Sequence, residues 1–314
     1  MPPALTPLAG CPTGLQVWIL RHRDLRLAFL PSVGGRLIGA AISGKELLWR
    51  NPEFFDDLLP VKPRHTWQPL DATMGSWSNL GGAKTWPAPQ GWSGPDQWPG
   101  PPDPVIDSGD WELAGEVVMV SPPDPYTGLQ VTRSFTITGD TSFTQETKFA
   151  NVSSRPVRWS IWEVIQLDTE PATDRWAGGQ GLVEIAAGNE HPVVLADAHG
   201  TLAMERRNGW VRIPIQPVVA KRGFPDATGE VAFRGPNGAV LRWRFDVFPH
   251  ATYPDGGSRV EVWMQTPLRN PLAEFGDLHP DANYTEVEIL SPLTTLLPGD
   301  TCTQRISWEL TAQP

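Results

Sequence analysis

Lys84 stands in the stretch NLGGAKTWPAPQGW, residues 79–92, where two glycines precede it and an indole, a Pro-x-Pro pair, Gln90 and a second indole follow. Gly81 and Gly82 let the backbone approach its neighbours closely, and the prolines stiffen what comes after. A lysine held in such a place binds a carboxylate or phosphate, or acts as an acid if desolvation lowers its pKa. The plainer reading is a surface lysine beside a turn. Only five of the 25 basic residues are lysines, so Lys221 also stands out. Glu261 lies between Val260 and Val262, which alternation puts on the opposite face of a strand. A carboxylate on an inward strand face costs several kcal/mol unless paired, so a functional role suits it. Arg36 follows Gly34 and Gly35; it either pairs with an acid across a sheet or holds hydroxyls or a carboxylate in bidentate fashion. Trp162 and Glu163 are neighbours on a strand, so only one of them can face a given site.

The fifteen tryptophans divide between two fates. Most pack cores, but a rigid indole also covers the apolar C–H face of a sugar at little entropic cost. Trp86, Trp92 and Trp98 fall in one proline-rich segment, and at least one of them is expected to line a pocket. Glu286 and Glu288 share a face, and for Glu286 the plain expectation is the solvated outer side of a last hairpin. Asp103, Asp107 and Asp110 match no calcium-loop spacing and read as turn and cap residues. Six scattered histidines form no metal-binding pair, and Cys11 and Cys302 are far apart and outside any metal-ligand spacing. The expectation is therefore no metal and no cofactor.

The elements that must position these residues are strands. Apolar residues alternate with period two in GLQVWILRHRDLRLAFLP, in GGRLIGAAISGKELLWRNP and in the long run from LQVTRSF to WSIWEVIQL. Further strands are expected at 113–120, 209–215, 230–234, 239–247, 258–265, 284–290 and 303–311. Weak helical periodicity is confined to 52–59 and 68–74. Short strands with polar turns at this spacing predict an all-β antiparallel sandwich or barrel. Residues 50–110 break the rhythm with eleven prolines and five tryptophans. Chain this rich in indole buries too much apolar surface to stay solvated, so an ordered functional excursion is expected. Pro and Gly this dense also argue against the middle of a central strand. With no composition shift or linker elsewhere, residues 1–314 read as one domain.

Composition narrows the function. Charged residues at 19% and hydrophobic residues at 40% are globular proportions, which exclude global disorder. A net charge of −10 argues against a nucleic-acid partner. No apolar run is long enough to span a membrane as a helix. LAGC at 8–11 resembles a lipoprotein signal, but nothing basic precedes it and the preceding residues are proline-rich. A cytoplasmic location is the default expectation.

LAFLPSVGGRLIGAAISGKELLW resembles the opening of the aldose-1-epimerase (galactose mutarotase) superfamily. KFANVSSRPVRWSIWEV is similar to that family's Asn-turn strand pair, NLGGAKTW to its His-Gly-Gly loop, SRVEVWMQ to its late glutamate strand, and YTEVEILSPLTTLLPGDTCTQRISWEL to its final strand pair. The closest likeness is to a bacterial branch carrying a GGxKxWPAPQ motif. The resemblance covers nearly the whole chain and implies a large two-sheet galactose mutarotase-like supersandwich. It also implies a carbohydrate ligand and opening of the pyranose ring by a glutamate base and a histidine acid. On this chain the glutamate falls on Glu261, while the histidine positions fall on Leu80 and Trp162, neither of which donates a proton as an imidazolium does. The expected site is therefore Glu261 as base and Lys84 as an atypical acid. Arg36, Trp86, Gln90, Trp98, Trp162, Glu163 and Lys221 are the expected contacts to a neutral, acidic or phosphorylated sugar. Two alternatives stay open: a carbohydrate-binding protein without catalysis, and a glycoside hydrolase or lyase, which would need a second carboxylate across the scissile bond.

Overall fold

Two antiparallel sheets account for nearly all of the regular structure in the computed structural model, which describes residues 4–67, 74–91, 93–169 and 181–312. The larger has twelve strands and the smaller ten. Their inner faces share one apolar core, in which Leu37, Ile161 and Val287 of the first meet Phe143, Phe233 and Trp308 of the second. Helix among the described residues is limited to single 3-10 turns at Arg64–Thr66, Met74–Ser76 and Ala273–Phe275. No described helix is long and apolar enough to cross a membrane. Of the two weakly helical segments, 52–59 holds turns and the short strand Phe55–Asp56, while 68–73 lies outside the described residues.

Five neighbouring strands of the large sheet position the site. In spatial order they are Ala83–Ala88, Val157–Leu167, Tyr284–Leu290, Val260–Gln265 and Val219–Phe224. The first corrects an expectation, because the Pro/Gly-dense stretch supplies a strand in the interior of the sheet. Ala83–Ala88 pairs with Val157–Leu167 along its whole length, but with Arg36–Ile42 only through Leu37 and Ala83. Among the described residues its other edge carries no ladder beyond that point, so a proline at 87 interrupts none there. Gly81 and Gly82 make the entry possible. Both have positive φ, and a Cβ on them would lie 2.3 Å from the Trp49 carbonyl oxygen and 2.6 Å from that of Leu37.

Between the sheets lies a buried ionic tie. Arg133 of Leu129–Gly139 meets Glu163 of Val157–Leu167 at 3.3 Å, and both side chains are sealed from solvent. Glu163 also accepts from the Thr85 hydroxyl at 2.8 Å and from the Thr147 hydroxyl. Arg133 donates to the carbonyls of Gly35 and Ala83 at 2.7 and 3.0 Å. Glu163 therefore points into the sandwich core, away from the opposite face of the sheet, and does not reach a ligand.

Candidate active site

The outer face of the five strands is a lattice of charge and indole. Cross-strand register places Lys84, Val164, Glu288 and Glu261 in one row. Gln166, Glu286, Trp263 and Lys221 form the next. With strands about 4.8 Å apart, the backbones at 84 and 261 are separated by roughly 14 Å. The two lysines bridge the rows diagonally, which long side chains can do. Lys221 Nζ lies 2.6 Å from Glu261 Oε2 and 2.8 Å from Glu288 Oε2. Lys84 Nζ lies 3.7 Å from Glu286 Oε1.

A cavity of about 260 Å³ opens over this face, at the small end for a ligand site. Trp77, Trp86, Trp162, Trp263, Phe275 and Tyr284 supply its aromatic wall, and Gln90 also lines it. Lys221, Asp255, Glu286 and Glu288 are its ionisable lining. Glu261 and Lys84 are absent from that lining and stand one layer back. Each is buried, and each is paired with an oppositely charged residue that does face the cavity.

The indoles are aimed by Asp103 and Asp107, whose spacing suggests only turn and cap residues. Asp107 accepts from Trp86 Nε1 at 3.1 Å, Trp77 Nε1 at 2.8 Å and the Arg36 guanidinium at 2.7 Å. Asp103 accepts from Trp98 Nε1 at 3.1 Å and caps the backbone N–H groups of Val105 and Ile106. Arg36 is fully buried beneath the cleft and holds Asp107, while Trp98 packs behind Trp86 with ring centroids 5.2 Å apart. Neither Arg36 nor Trp98 lines the cavity. Trp92 lies outside the described residues. Trp77, Trp86, Gln90 and Pro101 make the Trp/Pro excursion one wall of the cleft.

Burial sets the protonation behaviour of the face. Desolvation lowers Lys84 to about 8 against the pull of Glu286, and its ammonium sits 4.6 and 5.0 Å from the rings of Trp86 and Trp77. Desolvation likewise raises Glu286 to about 7, with Glu288 adding to the shift and Lys84 opposing it. Glu261 is pushed well above the usual carboxylate range by burial, against the attraction of Lys221. Burial tends to lower Lys221, but Glu261 and Glu288 outweigh it and leave the net shift upward. Glu288 Oε2 accepts from Trp162 Nε1 at 2.6 Å as well as from Lys221, whereas Oε1 is buried with no hydrogen-bond partner among the described residues. Such an orphan acceptor in a polar cleft is a place for a ligand hydroxyl.

The Lys84–Glu286 pair costs stability near neutral pH. Between pH 4.5 and about 7 the folded protein keeps a proton on Glu286 that the unfolded chain releases, so stability falls as pH rises. Between about 8 and 10.5 the unfolded chain keeps the Lys84 proton that the folded protein has lost, so stability is regained. The cost is greatest at pH 7–8. Lys84→Met combined with Glu286→Gln is expected to raise stability there by about 1–4 kcal/mol, as for other buried pairs replaced together. Thermal melts across pH 4–10 test this, and a lower melting point for the double variant at pH 7–8 would contradict it.

The signal for Glu286 and Glu288 was present in the sequence as two acids of one parity on a strand. Both are buried on the cleft face, which corrects the solvated outer-hairpin expectation for Glu286. Trp77, Trp263 and Tyr284 carry no separate signal of a site, because an indole or phenol in a strand-rich chain reads equally well as core.

No family model matches the chain, and no curated protein matches it by sequence. Solved structures do match its fold. A galactose mutarotase-like protein from Lactobacillus casei is 11% identical, with a TM-score of 0.56 over 98% of this chain and 100% of that one. A galactose mutarotase-like protein from Clostridium acetobutylicum is 9% identical, with a TM-score of 0.56 over 99% of each chain. A galactose mutarotase related enzyme from Lactobacillus acidophilus is 10% identical, with a TM-score of 0.52 over 94% of this chain and 97% of that one. At these identities the likeness establishes the fold, and the chemistry of the cleft must be argued from this chain's own residues.

Proposed function

We propose that this chain, with its galactose mutarotase-like fold, binds a small uncharged sugar against the indole wall and moves protons at its anomeric centre. The observation that carries the reading is the orphan acceptor Glu288 Oε1 on the same face as a carboxyl poised near neutrality, Glu286. Ring opening needs a base for the anomeric hydroxyl proton and an acid for the ring oxygen. Glu288, fixed by Trp162 and Lys221, is the base; Glu286 in its protonated form is the acid. The proton leaves the hydroxyl for Glu288 Oε1 as a carbonyl forms at the anomeric carbon. The bond to the ring oxygen breaks, and that oxygen takes the proton of Glu286. Closure on either face of the carbonyl reverses the transfers and returns either anomer. Lys84 and Glu261 act from the second layer, as positioning residues for Glu286 and Lys221.

Charge narrows the ligand. Asp255, Glu286 and Glu288 face the cavity, and Lys221, the one cation among its lining residues, is already held by two carboxylates. Neither Lys84 nor Arg36 lines the cavity: Arg36 is bonded to Asp107, and Lys84 Nζ stands 3.7 Å from Glu286, behind it, as an ion pair without a hydrogen bond. An anionic sugar would meet repulsion without a free partner, so a neutral sugar is favoured over the acidic and phosphorylated ones. Titration with neutral aldoses is expected to change tryptophan fluorescence, with uronic acids and sugar phosphates binding at least about tenfold more weakly, the effect of one unfavourable charge contact of roughly 1.4 kcal/mol. Tighter binding of the anions would refute this assignment.

A second reading, binding without catalysis, is favoured by one observation. Where the resemblance expects a histidine, Trp162 offers only an indole N–H, and that hydrogen is committed to Glu288. Sugar binding with no acceleration of anomer exchange would select it. A glycoside hydrolase needs carboxyl groups on either side of the bond; Glu261, Glu286 and Glu288 all rise from one sheet face, which leaves the turn residue Asp255 as the other carboxyl of the cavity lining.

A further inference from the structure

A second cavity of about 200 Å³ adjoins the first and shares Met74, Trp77, Leu278 and Tyr284 with it. Its remaining wall differs in character. Amides of Asn51, Asn79 and Gln265 line it together with the charged or polar heads of Glu53, Lys62, His279 and Asp281. The shared Trp77 gives an aromatic surface at the junction, and Tyr284 is anchored there through its hydroxyl to Gln265 Oε1 at 3.0 Å. Tyr284 also packs on Trp49 with ring centroids 4.6 Å apart, so this partition is fixed by packing on its far side. The first cavity matches one ring; in the second, the amides of Asn51, Asn79 and Gln265 are each engaged within the protein but keep a second N–H or lone pair for a ligand, beside an apolar plate.

We infer that the two cavities are consecutive subsites, and that the ligand is a neutral disaccharide or the end of a longer neutral glycan. One unit lies over Glu286 and Glu288, and the next passes Trp77 into the amide-lined cavity. This rests on the sugar-binding reading above and extends it from a single ring to a chain. A charged second unit is not required, because Glu53 is already paired with Lys62 and the other groups suit hydroxyls.

Isothermal titration of the full chain with galactose and glucose, and with lactose, maltose and cellobiose, tests the inference. At least one disaccharide is expected to bind about tenfold more tightly than its component monosaccharides, the effect of one or two net hydrogen bonds. Ser78 lines only the second cavity, so Ser78→Trp should fill it and remove that gain while monosaccharide affinity stays unchanged. Asp281 is exposed, so Asp281→Ala is a second variant with little risk to folding, expected to lower disaccharide affinity alone. Monosaccharide binding with equal or weaker binding of every disaccharide would overturn the two-subsite inference and leave the sugar-binding reading standing. Equal losses for both ligand sizes in the two variants would also overturn it. Binding of neither class would overturn both.

Discussion

Glu286→Gln and Glu288→Gln are each expected to slow anomer exchange by roughly 10²–10⁴-fold, the usual contribution of a positioned acid or base, with the fold retained. Neither substitution removes volume, and Gln at 286 can still accept from Gln166 Nε2, which now donates to Glu286 Oε1 at 2.8 Å. The pH profile carries the finer test. If protonated Glu286 is the acid, kcat/KM falls as pH rises through about 7. Lys84→Met removes the cation that holds Glu286 down, so the descending limb should move to higher pH. A lysine that only filled space would leave the limb in place. Polarimetry of a freshly dissolved anomer measures both effects. A rate unchanged in Glu286→Gln but lost in Glu261→Gln would return the chemistry to the residue the sequence pointed to. Glu261 is buried behind Lys221, so its loss should act through the position of that ammonium and have the smaller effect.

The largest expected loss of stability lies away from the cleft, at Glu163. Glu163→Ala leaves Arg133 as a buried charge with carbonyl partners only, and breaking such a pair costs about 3–5 kcal/mol. The same substitution strips the Thr85 and Thr147 hydroxyls of their acceptor. Denaturant unfolding should show the midpoint falling. If the protein folds at low temperature, sugar affinity should be nearly unchanged, because the side chain faces the other side of the sheet. The paired replacement Arg133→Met with Glu163→Leu should recover much of the loss, since the penalty arises from the uncompensated charge. A Glu163→Ala protein of wild-type stability with lost sugar binding would mean that this carboxylate serves the ligand instead.

The period of two in the apolar residues is a local property of the chain, and it determined the all-β antiparallel class without reference to any partner strand. Parity did the same for neighbours: Trp162 and Glu163 had to diverge, and the structure sends the first to the cleft and the second to the core. Glu286 and Glu288 had to share a face. What parity cannot supply is which face of a strand is covered, since that depends on the sheet laid against it and on how the excursion folds over the other side. Glu286 therefore reads as solvated from the sequence, whereas in the structure it shares a cavity with Trp77 and Trp86. Depth is a tertiary property too. Lys84, Glu288 and Glu261 fall in one row only through the registers of four strands that are remote in sequence. Whether a charged group in that row touches a ligand or stands behind one that does is decided by the lengths of its neighbours' side chains. Composition and spacing set Lys84 and Glu261 apart; packing decided that each would stand behind an oppositely charged residue that faces the cavity.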